Sequence, residues 1–537
     1  MFRFKLLVSI ALALAVLSGC ATTAREAAVR RPRHLIFNND GDDALHYANP
    51  GVGYADADSP VSKQHFLDIR MNHIGDTGVD SVFYCTTQSI NYFTHDSDVT
   101  EVFETKEKDF HGNRTKELIE QGADPLAVSI EACRLRDIEV FWTIRMNDIH
   151  DNFWEEMISQ WKKAHPDMLL GKSGDKSEYP DTDPRHVWTW ADFSRPEVRD
   201  LLVKIVEDVV DRYDVDGIDL DYLRHPAYFK ECLEFKAATK AHRDMLTDMM
   251  AKMRQVILAA SERKGKPILL SVRILPTVEL NRRMGVDVER WVKEGYVDFI
   301  AIGGGYDPFT MPVNDLIDQG HDWGVPVYVC LSQSGFGGAS SRVKGAKFSH
   351  SIECWRAAAS NAWNAGADGI MTFNLFPKFS GSETTKNVRG IWQDISDTNQ
   401  LAGKDKIFCI ERVDSLWNTG FMAATVLIAD RLPRVLKLGT TVHLNLPVGD
   451  PIAAMSGKVK KLRLRVGLSG WSEGDEVGVS MNGTPLDVTA EADQWLSADV
   501  SPTAMKQGRN TVFLTYWHGA EAELTVVGTE LIVQYKQ

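Results

Sequence analysis

The segment YDVDGIDLDYLRHP, residues 213–226, carries the side chains best suited to chemistry. If Val215–Asp221 forms a strand, the period of two places Asp219 and Asp221 on one face, opposite Ile218 and Leu220. Two carboxylates in different environments can divide the work of a hydrolysis, one as proton donor and the other as base or nucleophile. The segment therefore predicts a catalytic pair: Asp221 lies nearest to the strand end, and Asp219, one layer deeper, tunes its pKa or binds a substrate hydroxyl.

The same carboxylates also allow a structural interpretation. Arg145, Arg224 and Arg273 could balance them in an ion network, and such networks shift pKa values without doing chemistry. The two interpretations predict different behaviour of an Asp221→Asn variant. If Asp221 is catalytic, the variant should lose turnover but not stability, because the change relieves repulsion from Asp219. If Asp221 is structural, the variant should lose stability.

A second candidate strand, EVFWTIR, repeats the polar pattern. Thr143, Arg145 and Asn147 share one face, while the apolar side chains between them share the other, so Arg145 and Asn147 are candidates for substrate binding at the barrel mouth. Asp148 and His150 follow directly. Asp148 is a candidate second carboxylate, and an aspartate on the surface of a loop is the alternative.

Polar residues also follow the other candidate strands. The first strand ends in an acidic and amide-rich cluster that could bind substrate hydroxyls or a cation, or be a solvated loop. The candidates for catalysis or substrate binding at these strand ends are Asn39 and Asp40 after the first strand, Arg273 and Glu279 after the fifth, Asp307 after the sixth, Gln333 after the seventh and Asn374 after the eighth.

Three residues near the acidic segment are further candidates for substrate binding. Arg224 and His225 come shortly after Asp221. Trp190 lies in a loop that precedes a helical pattern, where an exposed ring could stack on a substrate and a buried ring would pack against the helix.

The elements that must position these residues are alternating strands and helices between residues 34 and about 395. The apolar runs that qualify as strands are His34–Asn38, Ser81–Cys85, Glu139–Arg145, Val215–Asp221, Ile268–Ile274, Val297–Ile302, Val325–Leu331 and Asp368–Asn374. Parallel strands joined by helices, in about this length of chain, predict a (β/α)8 barrel over residues 34–395. The longest loops follow the second and third strands, and such loops build the active sites of barrels.

After about residue 400 the pattern changes to short alternating strands separated by turn residues such as Asn482-Gly483. This predicts an antiparallel β-sandwich over residues 401–537. Because barrel active sites are built from βα loops, we expect this domain to be dispensable for turnover.

The run WADFSRPEVRDLLVKIVEDVVDRYDVDGIDLDYLRHP, residues 190–226, resembles the family-10-like glycosyl hydrolases of bacteria. Their motif reads roughly D-G-I-H-x-D-D-Y, and Asp219 stands here where histidine is frequent. The resemblance implies a (β/α)8 barrel that acts on a polysaccharide, and it carries over Asp219 and Asp221. A looser similarity to the chitinase motif D-G-x-D-x-D-x-E ends at Leu223, which argues against substrate-assisted chemistry. The tail resembles galactose-binding or jelly-roll modules in its strand pattern.

The resemblance and the residues together predict hydrolysis of glycosidic bonds in a polysaccharide or oligosaccharide. Asp221 takes one catalytic role, and Asp307, Asp148 or Glu279, in declining order of preference, takes the other. The alternative is a surface lipoprotein that binds glycans with a degenerate barrel and cleaves nothing.

The N-terminus predicts export and anchoring. Arg3 and Lys5 precede the apolar run Leu6–Leu17, and Leu17-Ser18-Gly19-Cys20 resembles a bacterial lipobox. That resemblance implies that residues 1–20 are a lipoprotein signal and that Cys20 is lipidated, with residues 21–33 as a tether and the protein held at the cell envelope. An ordinary cleaved signal with an incidental cysteine is the alternative.

Composition excludes several other classes. The formal net charge of −14 and the lack of a basic tract argue against a nucleic-acid partner. The cysteines show no metal-ligand spacing and no dinucleotide or P-loop motif occurs, so we expect neither a metal nor a cofactor. The sequence indicates no oligomeric state.

Overall fold

The computed structural model describes residues 24–41, 61–107, 110, 113–152, 154–172, 187–234, 236–303, 309, 311–332, 343–347, 351–373, 375, 383–410 and 432–536. Within them, eight parallel strands close into a barrel in the order β1-β8-β7-β6-β5-β4-β3-β2. The strands are β1 Leu35–Asp40, β2 Ser81–Cys85, β3 Glu139–Arg145, β4 Gly217–Asp221, β5 Leu269–Ile274, β6 Phe299–Ile302, β7 Val327–Ser332 and β8 Gly369–Phe373. The predicted (β/α)8 barrel is confirmed, and each strand lies within or beside its predicted run.

Helices cover the outside of the barrel. Their bounds are α1 Lys63–Arg70, α2 Thr115–Glu120, α3 Pro125–Arg134, α4 Gln160–Ala164, α5 Pro196–Arg212, α6 Lys230–Leu233, α7 Lys240–Lys264, α8 Val278–Met284, α9 Val288–Lys293, α10 Asn314–Asp322, α11 Ile352–Asn364, α12 Glu383–Ile395 and α13 Thr398–Leu401. In α5, which begins with a proline at its first turn, Leu202, Ile205 and Val209 form a buried stripe at helical spacing. No helix in the described part of the chain is long and apolar enough to cross a membrane.

Aromatic side chains fill the amino end of the barrel. Phe83 and Phe141 stack with their ring centroids 4.5 Å apart, and Phe141 meets Phe299 edge-on at 5.5 Å. Arg33 lies beneath them, fully buried, with its guanidinium 4.7 Å from the centroid of Phe299 and an ion pair to Glu139. This end of the barrel is therefore closed, and the polar side chains of the interior lie at the carboxyl end.

The segment before the first strand packs against the barrel. Residues 24–29 are helical, and Ala28 and Val29 are partly buried against the aromatic cluster at the amino end. Arg25 forms an ion pair with Asp298. The chain predicted as a tether to residue 33 is thus fixed to the barrel from residue 24 onward, because its apolar and basic side chains find partners there.

Two antiparallel sheets with a common apolar core follow the barrel, which confirms the predicted sandwich. Their strands are β9 Lys406–Ile410, β10 Arg434–Lys437, β11 Thr441–Val448, β12 Val459–Ser469, β13 Glu476–Met481, β14 Thr484–Leu486, β15 Thr489–Glu491, β16 Trp495–Asp499, β17 Gly508–His518 and β18 Glu523–Tyr535. One sheet has the order β9-β18-β12-β16-β15, with β10 beside β18, and the other has the order β11-β17-β13-β14.

The sandwich holds part of the loop that follows barrel strand β7. Within residues 343–347, the carbonyl oxygens of Lys344 and Gly345 accept hydrogen bonds from Trp495 Nε1 at 2.8 Å and from Arg465 Nη2 at 2.9 Å. Loops at this end of a barrel build its active site. The two domains therefore meet at an element that belongs to the barrel mouth.

Candidate active site

The register of three neighbouring strands creates two rows of polar side chains. Arg145, Asp221 and Arg273 are paired in register across β3, β4 and β5. Two residues earlier, Asp219 is in register with a threonine and a serine on the flanking strands. Side chains of one row face the same way because the strand period is two. The outer row thus places an anion between two cations at the carboxyl end of the barrel.

Asp221 is held by Leu223, Arg224 and Arg273 and is almost fully buried, with 1% of its surface exposed. Its Oδ1 accepts hydrogen bonds at 3.0 Å from the backbone N–H groups of both Leu223 and Arg224, because the chain folds back directly after the strand. Its Oδ2 forms an ion pair with Arg273. Both carboxylate oxygens therefore have donors.

Arg273 is completely buried beside this carboxylate. Its guanidinium lies 4.2 Å from the ring centroid of Phe373, at the end of β8. Burial alone would lower its pKa, but the attraction and hydrogen bond of Asp221, together with the nearby Cys330 and Asp219, outweigh burial and raise the pKa of Arg273 above its ordinary value. Asp221 and Arg273 therefore form a charged pair.

Asp219 lies in the deeper row and has no exposed surface. Ser271 Oγ donates to its Oδ1 at 2.8 Å, and Thr143 Oγ1 donates to its Oδ2 at 3.1 Å. Burial and repulsion from Asp221 raise the pKa of Asp219 from 3.8 to about 7. The two aspartates of the segment thus differ in their partners: Asp221 pairs with a guanidinium, whereas Asp219 accepts from two hydroxyl groups and has a raised pKa.

A chain of hydrogen bonds connects the loops after β1, β3 and β4. Arg145 forms ion pairs with Asp40 and with Asp148, the latter at 2.9 Å. Asp148 Oδ1 lies 2.7 Å from Nδ1 of His150, and Nε2 of that ring lies 2.9 Å from Arg224 Nη2. Because a guanidinium only donates, this geometry requires the tautomer of His150 that carries its hydrogen on Nδ1.

Asp148 is the carboxylate that joins Arg145 to His150 in this series of hydrogen bonds. It is fully buried, and burial alone would raise its pKa. Its neighbours His150 and Arg145 outweigh burial and hold the pKa of Asp148 well below its ordinary value. Asp148 is therefore a poor proton donor at neutral pH.

Asp148, His150 and His225 are close enough to be considered as metal ligands, since one atom of each lies within 4.8 Å of the others. His225 has the left-handed backbone angle φ 58°. However, Arg145 and Arg224 donate to the same carboxylate and imidazole, and two guanidinium groups repel a divalent cation. The arrangement fits a hydrogen-bonded network better than a metal centre.

Three residues predicted to bind substrate are buried against other parts of the chain. Asn39 faces the helices and donates to the carbonyl of Arg70 at 3.0 Å, because Asn38 and Asp40 occupy the inward positions of β1. Asn147 exchanges hydrogen bonds with the backbone of Ala191, at 3.0 and 3.2 Å.

Trp190 is the third of these residues. Only 1% of its surface is exposed, and its ring meets that of His225 edge-on at 6.3 Å. Polar and aromatic side chains near strand ends can also hold loops and helices in place, as these three do, and their roles in substrate binding stay predictions.

The remaining candidates divide into three groups. Asp40, Arg145, Arg224, His225 and Arg273 lie with Asp221, Asp219 and Asp148 at the carboxyl end of the barrel. Asp307, Gln333, Asn374 and Cys20 lie outside the described residues, and their roles stay predictions. Glu279 is largely exposed on α8 and pairs with Arg283 one turn along.

Sequence reasoning left four contributors unassigned. Thr143 and Ser271 hold Asp219, and the period of two through Arg145 and Arg273 could have indicated both. His150 was noted only for its position, although it lies two residues from Asp148. Phe373 gave no comparable signal, because its contact depends on closure of the barrel.

Comparison with known proteins matches part of the chain to a protein family. The family model described as Glycosyl hydrolase-like 10 matches residues 85–311. No curated protein matches the sequence. Among solved structures, the alpha-L-fucosidase isoenzyme 2 from Paenibacillus thiaminolyticus has a TM-score of 0.42 and 14% identity, covering 72% of this chain and 53% of its own.

Two further structures are similar over most of this chain. The alpha-amylase from Geobacillus thermoleovorans, complexed with acarbose, has a TM-score of 0.38 and 11% identity, covering 90% of this chain and 98% of its own. The cell-surface chitinase from Paenibacillus sp. str. FPU-7 has a TM-score of 0.38 and 12% identity, covering 91% and 52%. This chain thus spans about half the length of the fucosidase and of the chitinase. Residues 85–311, which contain β3, β4 and both aspartates of the acidic segment, match the glycosyl hydrolase-like family 10, as the motif predicts.

Proposed function

We propose that this chain hydrolyses glycosidic bonds at the carboxyl end of its barrel, with Asp221 as a catalytic carboxylate. The observation that carries the proposal is the arrangement around Asp221: two backbone N–H groups hold one oxygen, Arg273 holds the other, and the carboxylate faces the barrel interior. This arrangement lies within the family-matched residues.

The electrostatics assign a role to each aspartate of the pair. The ion pair with Arg273 and the two backbone N–H donors surround Asp221 with groups that stabilise a carboxylate, which suits a nucleophile or a base that activates water. Asp219, with a pKa of about 7, can carry a proton beneath it and limit the negative charge of the pair. Because Asp219 lies one row deeper in the barrel than Asp221, it acts through Asp221 and is a positioning residue.

The proton donor to the leaving oxygen must come from another group. The low pKa of Asp148 makes that residue unsuitable as the acid. Asp307, on the loop after β6, remains the first candidate.

A second function, glycan binding without cleavage, is favoured by a different observation. Asp40 and Asp148 pair with Arg145, and Asp221 pairs with Arg273, as in a structural ion network. A cluster in which these three carboxylates each have an arginine partner can line a binding site without reacting.

The release of reducing ends from a panel of polysaccharides separates the two functions. We expect the parent to release them and Asp221→Asn to lose on the order of a thousandfold in rate. Asp200→Asn, a surface change on α5, is the matched control and should keep the parental rate. Binding to the panel without release by the parent would refute hydrolysis and support the second function.

We also propose that the protein is held at the cell envelope by lipidation of Cys20. The support is the lipobox-like run Leu17-Ser18-Gly19-Cys20.

A further inference from the structure

One tryptophan of the sandwich is exposed to solvent. Trp517, near the end of β17, has 64% of its surface exposed, and no other tryptophan in the described parts of the chain is classed with the exposed side chains. A large aromatic ring in water loses the free energy that burial would provide. Its position therefore calls for an explanation.

The neighbouring strand is built to accommodate this ring. A Cβ atom added to Gly478 of β13 would lie 2.4 Å from Cη2 and 2.6 Å from Cζ2 of Trp517. Real Cβ atoms do not approach so closely, so only glycine lets the indole lie against this backbone. A glycine within a strand often marks such a close approach. The ring is thus supported on one side by the sheet and open to solvent on the other.

A groove of about 310 Å³ adjoins the ring and is lined by Trp517, Trp471, Glu476 and Val488 among others. Its volume is at the lower end of the roughly 300–1,000 Å³ of small-molecule sites. The Nε1–H of Trp471 donates to the carbonyl of Asp475 at 3.3 Å, which fixes the second indole. The exposed Glu476 carboxylate has no hydrogen bond or ion pair to any residue within the described ranges.

We propose that this groove binds a pyranose unit of a neutral glycan chain, at a site separate from the barrel. The apolar C–H face of the sugar would stack on Trp517, and a sugar hydroxyl would donate to Glu476. The choice of a glycan as ligand rests on the proposed function of the barrel.

The surroundings argue against two other occupants. A stable protein interface buries roughly 1,200–2,000 Å² around an apolar centre, whereas this groove is small and has a carboxylate at its rim. An anionic membrane surface would be repelled by Glu473, Glu476, Glu521 and Glu523, which lie in or beside the turns at this end of the sandwich.

Affinity electrophoresis of the full chain in gels that contain soluble starch, hydroxyethylcellulose or galactomannan tests the proposal. We expect at least one polymer to retard the parent, and Trp517→Ala to weaken that binding about tenfold, the order seen when a stacking aromatic is removed. Trp517→Phe should keep most of the affinity. Gly478→Val should weaken binding because its side chain displaces the indole. Leu135→Ala, at an apolar position that is 78% exposed on the barrel, is the control and should bind as the parent does.

The outcomes separate this proposal from the proposed function. Parental retardation of Trp517→Ala, or no retardation of the parent by any polymer, would overturn the groove as a glycan site, whatever the hydrolytic activity. Retardation that depends on Trp517 in a chain that releases no reducing ends would keep the groove and refute hydrolysis.

Discussion

At the scale of single residues, the barrel mouth is governed by charges that are buried in pairs. Asp221 and Arg273 are each at most 1% exposed, and each is the other's counter-ion. A buried charge without a partner is far more costly than a buried pair. Any substitution that removes one member therefore changes stability as well as chemistry, and the two effects must be measured separately.

We predict that Asp221→Asn lowers the free energy of unfolding by about 3–5 kcal/mol, because the guanidinium of Arg273 loses its partner in the interior. This differs from the expectation that relief of repulsion from Asp219 leaves a catalytic variant at least as stable as the parent. The double variant Asp221→Asn/Arg273→Met should recover most of the loss, while turnover stays low. Urea unfolding of the parent and both variants measures the difference. An Asp221→Asn protein as stable as the parent would show that the pair contributes nothing net to folding.

The raised pKa of Asp219 predicts that the free energy of unfolding depends on pH. Its pKa rises from 3.8 to about 7 on folding, so the native state binds the proton more tightly than the unfolded state does. The favourable contribution is complete below pH 3.8 and is lost as the pH rises through 7. Relative to Asp219→Asn, the parent should therefore lose on the order of 4 kcal/mol of unfolding free energy between pH 4 and pH 8.

Urea unfolding of both proteins at several pH values between 4 and 8 measures this loss. An asparagine can accept from one of the two hydroxyls, Ser271 or Thr143, through its amide oxygen, and its NH₂ group can donate to the other hydroxyl. The comparison therefore removes the charge and keeps both hydrogen-bond positions filled. A difference between the two proteins that does not vary with pH would contradict a raised pKa of Asp219.

At the scale of elements, the alternation of polar and apolar residues predicted the barrel and the inward direction of Asp219, Asp221 and Arg145. The sequence could not determine that Asn39 faces the helices, because the inward set of a strand with polar residues at three successive positions is ambiguous without its neighbours. The partner of Asp221 was also open among three arginines. Strand register does not decide between Arg145 and Arg273, because both are in register with Asp221. Arg145 forms ion pairs with Asp40 and Asp148, and those contacts depend on how the ends of β1 and β3 meet in the closed barrel.

The contact between the sandwich and residues 343–347 was also not predicted, because it joins residues that are distant in sequence. Trp495 lies in a slot against Gly467 and Gly528, whose added Cβ atoms would come within 3.1 and 2.5 Å of its ring. Arg465 stacks on this ring at 4.3 Å, and Glu530 accepts from the backbone N–H of Lys347 at 2.6 Å. These contacts tie the loop after β7 to the second domain.

We predict that Trp495→Phe, which removes the indole N–H donor to Lys344 and leaves an aromatic ring in the slot, raises the KM for a short soluble substrate several-fold with a smaller change in kcat. The physical reason is that a loop of the barrel mouth loses an anchor, whereas Asp221 is untouched. Trp517→Phe, an equal change on the outer surface, is the matched control with a short soluble substrate. Kinetics identical to the parent would support the expectation that the sandwich is dispensable for turnover.

At the scale of the whole molecule, the order of barrel and sandwich followed from the change of periodicity near residue 400, and the structure confirms both folds. The length of the tether could not be predicted from the sequence, because composition does not show that Arg25 and Arg33 form ion pairs with residues of the barrel. If Cys20 is lipidated, only a few residues separate the membrane from the helix at residues 24–29. The amino end of the barrel would then lie close to the membrane, with the candidate active site at the far end.

The anchor itself gives the last prediction. In cells that process lipoproteins, the parent should partition into the detergent phase of a Triton X-114 extraction, because an acyl chain contributes about 0.8 kcal/mol for each buried CH₂ group. Cys20→Ala should move the protein into the aqueous phase or leave its signal uncleaved, since no other residue of the run offers a thiol. Thr22→Ala, two positions downstream, keeps the cysteine and is the control, which should partition as the parent does. If Cys20→Ala stays in the detergent phase with a correctly shortened N-terminus, Cys20 is not the anchor and the alternative of an ordinary cleaved signal is favoured.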